Sequence, residues 1–132
     1  MGNNIQTLEQ RRAKNAYDCI ENTLKIIEDN KKDEFSSHVK NIPMLIKTNG
    51  LGATFAYMLS KEKDYLHIGD CLLFWLKETD NKIIDLENVK DFKTLTKKIM
   101  EISSFEYRAL TKEVLAYLNW TKRFVEGLTK KE

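Results

Sequence analysis

An all-α fold, a compact bundle of about six helices, is the class that the sequence predicts. Three observations carry it. The 132 residues hold one proline and five glycines, too few breakers for a run of hairpins. Apolar residues recur at steps of three and four through most of the chain, the period of an amphipathic helix. Helix-start signals also precede these stripes at intervals. At 42% hydrophobic and 32% charged residues the composition is that of a globular protein. The length fits a single helical domain spanning residues 1–132, with 1–6 flexible at its start.

The elements follow in order. Thr7-Leu-Glu-Gln10 has the form of a capping box, in which the Thr7 hydroxyl accepts from a free amide and Gln10 reaches back. The stripe behind it is Ala13, Ala16, Tyr17, Ile20, Leu24 and Ile27, with Arg11, Arg12 and Lys14 mainly off it towards solvent. Phe35, Val39 and Ile42 continue at helical spacing. Pro43 lacks an amide proton and crowds the preceding turn, so a break near Asn41 and a new helix from Pro43 are expected. Gly50 suits a helix C-terminus. Leu51 to Lys61 is apolar nearly all round, which predicts burial on several sides at the centre of the bundle. Tyr65, Ile68, Leu72, Trp75 and Leu76 mark a fourth helix, and Ile83, Ile84 and Leu86 pin the connection after it. Asp91 caps a fifth helix that carries Phe92, Leu95 and Ile99. Ser103-Ser-Phe-Glu106 opens a last helix with Arg108, Lys112, Lys122, Arg123, Lys130 and Lys131 as its basic face.

Charge and cysteine usage narrow the function classes. The net charge is +2, so anion binding has to come from the distribution of charge and not from its sum. From Phe35 to Lys63 the basic residues are Lys40, Lys47, Lys61 and Lys63, against Glu62 alone. Cys19 and Cys71 stand far apart without CxxC spacing, which fits neither a disulfide framework nor a zinc finger and agrees with a reducing, cytoplasmic setting. The first residues lack the basic and apolar regions of a signal peptide, and no apolar run approaches membrane-spanning length.

Enzyme chemistry finds no support. His67 and Cys71 share a helix face at i,i+4, yet no second spaced pair completes a metal site. Gly50-Leu-Gly52 is too short for a phosphate loop, and no nucleophile elbow is present. No catalytic residue, metal or cofactor is expected. Of the aromatics that could stack on bases, Tyr57, Trp75, Tyr117 and Phe124 read more simply as core, and Trp120 is open between the two. Basic residues remain in three groups: Arg11, Arg12 and Lys14; Lys40, Lys47 and Lys61; Lys112, Lys122 and Arg123. Gathered on one face, such groups bind phosphates by releasing counterions; taken singly, each is ordinary solubilising charge.

Three blocks carry a resemblance. Ile42-Pro-Met-Leu-Ile-Lys-Thr-Asn-Gly-Leu-Gly-Ala-Thr-Phe-Ala-Tyr-Met-Leu-Ser-Lys61 resembles the signature of the small helical subunit of the type III-B CRISPR–Cas effector, the Cmr complex. Gln10-Arg-Arg-Ala-Lys-Asn-Ala16 looks like that family's opening helix. Tyr107 to Phe124, down to the Trp-x-Lys-Arg-Phe ending, is similar to its closing one. The segment from Asp64 to Ile102 matches only as helix pattern. The resemblance implies a non-catalytic subunit that stacks with copies of itself beside backbone and large subunits and lines the groove where guide RNA pairs with target RNA. It places basic positions at Arg12, Lys47, Lys61, Lys122 and Arg123; Arg11 and Lys14 join them by charge and proximity. A purely protein-binding helical adaptor is the competing expectation.

Overall fold

The structure is a computed structural model and describes residues 6–61, 63–79 and 82–130. The expectation of flexibility at 1–6 falls, apart from Gln6, outside the described residues. Among the described residues six α-helices form: α1 (Leu8–Ile26), α2 (Lys32–Asn49), α3 (Leu51–Leu59), α4 (Lys63–Glu78), α5 (Phe92–Ile99) and α6 (Ser104–Thr129), with a 3-10 turn at Asp29–Lys31 between the first two. The fold is the all-α bundle that the periodicity predicts.

The helix starts are local chemistry. Thr7, Asp91 and Ser103 each accept from the backbone amide three residues on, and the side chains of Gln10, Thr94 and Glu106 return the bond. Gly50 closes α2 and opens α3 at once. Its φ of 91° and ψ of 164° suit a residue without a Cβ, its amide donates to the Ile46 carbonyl at 2.8 Å, and its own carbonyl accepts from the Thr54 hydroxyl at 2.8 Å. The Gly52 amide at the head of α3 donates to the Tyr107 hydroxyl at 2.7 Å, which ties this corner to α6.

Two expectations are corrected here. Pro43 does not divide the chain: α2 runs unbroken from Lys32 to Asn49 with the proline inside it and buried. An interior proline costs about 3 kcal/mol. Phe35, Val39 and Ile42 before it and Ile46 after it all bury on one face, so the core holds both halves on a single axis. Nor is α3 the centre of the bundle. It buries Leu51, Phe55 and Met58 but leaves Ala53, Ala56 and Tyr57 exposed. Two of those three are alanines, whose small methyls lose little by facing water.

The axis of the bundle is α6, flanked by α1 and α2. Residues 12, 15 and 17 of α1 meet 113, 117 and 124 of α6, so these two helices run parallel. Helix α2 runs the other way, its end beside Tyr107 and its start beside Arg123 and Gly127. Helix α4 lies antiparallel to α1. Between α4 and α5 the contact is close: a Cβ on Gly69 would stand 2.6 Å from the Phe92 ring. Ile84 and Val89 bury and hold the connection between these helices against the core, with Ile83 and Leu86 partly buried beside them. No helix among the described residues is long and apolar enough to cross a membrane.

Candidate nucleic-acid interface

The seven basic residues singled out from sequence do not form one site. Arg12 turns inward, against the expectation that it faces solvent. Its Nε donates to Glu113 Oε2 at 2.6 Å and its Nη2 to Glu113 Oε1 at 2.8 Å, and the two side chains are 13% and 4% exposed. The Trp75 indole donates to the same Glu113 oxygen at 2.8 Å. One carboxylate thus joins α1, α4 and α6, and its hydrogen bond raises the Arg12 pKa above the ordinary guanidinium value. Nearby, the Tyr117 hydroxyl donates to Asn15 Oδ1 at 2.8 Å, and burial, then the Asp18 charge, pushes its pKa well up.

Arg11 and Lys14 line a cleft of about 570 Å³ between α1 and α4. Asp18, Asp70 and Glu78 line it too, and Lys14 pairs with Asp18 at 3.1 Å. Three carboxylates against two cations make this cleft a poor seat for a phosphate. The floor is a further correction: Cys19 and Cys71, expected as separate thiols, are bonded to each other. Antiparallel packing of α1 on α4 brings them together, a proximity that a separation of 52 residues hides in the sequence. Bonded to Cys19, the Cys71 sulfur is no longer a thiolate partner for His67. No group of three or more His, Cys, Asp or Glu is placed to hold a metal among the described residues.

Lys47 and Lys61 are exposed beyond either end of α3, and the Lys61 ammonium sits 5.1 Å from the centre of the Tyr57 ring. That ring, read from sequence as core, is exposed and packs edge-on against Tyr65.

Lys122 and Arg123 lie where the charge does accumulate. On α6 the exposed charged residues are Arg108, Lys112, Lys122, Arg123 and Glu126. At 100° per residue the four cations fall within one outward stripe, and 108 to 123 spans roughly 22 Å at 1.5 Å per residue. Helical period made this face legible in the sequence. Its neighbour was not: Lys40, grouped by sequence with the Pro43 segment, stands instead across an α2–α6 cleft of about 680 Å³ from Arg123 and Lys130. Ser36, Ser37 and Thr129 supply hydroxyls along this cleft, and Asp33 and Glu126 offset part of its charge. Trp120 is half-buried, stacked on Phe124 at 5.6 Å, with the Arg123 guanidinium 5.7 Å over its ring. The indole therefore positions a cation.

The family described as CRISPR-associated protein (Cas_Cmr5) matches residues 8–128, from the start of α1 almost to the end of α6. The chain belongs to the Cas_Cmr5 family. It is similar to the CRISPR system Cmr subunit Cmr5 of Thermus thermophilus, with 26% identity over 124 residues, 94% of this chain and 97% of that protein. The crystal structure of a CRISPR-associated Cmr5 family protein from the same organism superposes with a TM-score of 0.75 at 25% identity, covering 93% of this chain and 98% of that one. The family match thus takes in the disulfide-bearing helices as well as the basic stripe.

Proposed function

We propose that this protein is a non-catalytic, RNA-binding structural subunit of a type III-B CRISPR RNA-guided interference complex. On this reading it works in the cytoplasm, stacks with copies of itself beside the backbone and large subunits, and meets the guide–target RNA duplex through phosphates. The observation that carries the RNA contact is the outward stripe of Arg108, Lys112, Lys122 and Arg123 on α6, continued by Lys40 and Lys130 at the α2–α6 cleft. Cations at helical spacing on a rigid surface neutralise backbone charge without reading bases, which suits a subunit whose guide RNA supplies the sequence specificity. Family membership supports the assembly, and the Thermus relative is named as a Cmr subunit. Arg12, held by Glu113, serves in this proposal as a strut and not as a phosphate ligand.

The test is RNA binding by the assembled complex across a salt series. The triple reversal Lys112→Glu, Lys122→Glu and Arg123→Glu should flatten the log–log salt slope by roughly 2 to 3, since each phosphate neutralised contributes somewhat less than one. Helical content should stay unchanged. An unaltered slope removes α6 from the RNA surface. A second reading, a protein-binding adaptor without RNA contact, is favoured by Met100 and Phe105, which are 57% and 74% exposed around the α5–α6 turn. Crosslinking of target RNA to this chain in the complex supports the first reading; crosslinks to its neighbours alone support the second.

A further inference from the structure

We infer that Cys19 and Cys71 form a reversible thiol–disulfide site that a small dithiol reductant reaches through the α1–α4 cleft. Both cysteines line that cleft, Cys19 at 7% exposure and Cys71 more open, and their Cα atoms stand 5.9 Å apart across the two helices. Access at one sulfur is what separates an addressable disulfide from one sealed in a core. Cys71 is the sulfur presented to attack. A dithiol thiolate bonds to Cys71 Sγ, the Sγ–Sγ bond breaks, and Cys19 leaves with the electron pair and takes a proton. The second thiol of the reductant then displaces Cys71 Sγ, which is protonated in turn, and the reductant cyclises to its own disulfide. Two electrons and two protons pass to the protein.

The surroundings make this a switch in rigidity and not in fold. The Glu113 carboxylate joins α1, α4 and α6 through Arg12 and Trp75, by contacts in which the sulfurs take no part. Ile20, Leu72 and Tyr117 pack in the same core. Breaking the bond therefore releases the cross-link between α1 and α4 while the bundle persists. The bond closes a long loop, the cysteines standing 52 positions apart in sequence, so the unfolded chain gains freedom on reduction and the folded one little.

The experiment uses the full chain, oxidised with oxidised dithiothreitol and then treated with dithiothreitol under native conditions. Alkylation after denaturation should find no thiol in the oxidised protein and two in the reduced one. Native reduction should accelerate in proportion to dithiothreitol concentration while helical circular dichroism persists. The melting temperature should fall by roughly 5–15 °C on reduction and return on reoxidation. The Cys19→Ser/Cys71→Ser double variant should show no response to the reductant. Two alkylated thiols after oxidation would overturn the inference, as would a native reduction rate that saturates at the rate of global unfolding.

Discussion

Arg12 on α1 and Arg123 on α6 carry the same guanidinium into opposite surroundings. Arg12 is enclosed, and both oxygens of Glu113 accept from it while Trp75 donates to that same carboxylate. Arg123 is exposed, lies over the Trp120 ring, and shares a cleft with Lys40 and Lys130. The first pairing fixes how three helices meet. The second leaves donors directed at whatever arrives from outside. The difference comes from the opposite charge each residue meets. Glu113 is the one buried carboxylate among the described residues, and Arg12 reaches it from the neighbouring helix. The stripe on α6 has only Glu126 among its exposed charges to balance four cations. A basic residue in a helical bundle thus serves folding or binding according to the carboxylate opposite it, and a count of positive charge does not separate the two.

The largest loss is expected at the enclosed arginine. Glu113→Ala strands the Arg12 guanidinium and the Trp75 indole together, and should cost about 3–5 kcal/mol in urea unfolding. A loss below about 1 kcal/mol would place Arg12 with the surface cations. Arg12→Lys sharpens the contrast, because an ammonium keeps the charge but not the two parallel bonds; the expected loss is about 1–3 kcal/mol by the same measurement. At the outer end, Lys122→Ala should leave stability within about 0.5 kcal/mol of the parent. Under the proposed function its effect falls on the salt dependence of RNA binding, where the log–log slope should fall by about one. A stability loss like that of the inner arginine would erase the distinction.

Much of the fold was legible because its signals are short-ranged. Thr7, Asp91 and Ser103 start helices through bonds to amides three residues away, and Gly50 ends one through its own dihedral angles. The basic face of α6 was legible for the same reason, since a period of 3.6 sorts residues onto faces without knowledge of neighbours. Expectations failed where the neighbour decides. Arg12 sits on a polar helix face by periodicity, and nothing in its own segment announces a glutamate 101 positions away. The segment of Leu51 to Lys61 is apolar nearly all round, yet only one side of α3 finds a partner surface.

By itself the sequence determined the helical class, the positions where four of the helices begin or end, and the outward charge of α6, since caps and periodicity act within a few residues. Only the tertiary structure decided that α2 continues through Pro43, that Cys19 meets Cys71, and that Arg12 is a strut where Arg123 stays available. These are contacts between helices brought together by burial of a shared core. Burial depends on which faces meet, and no local window of residues contains that information.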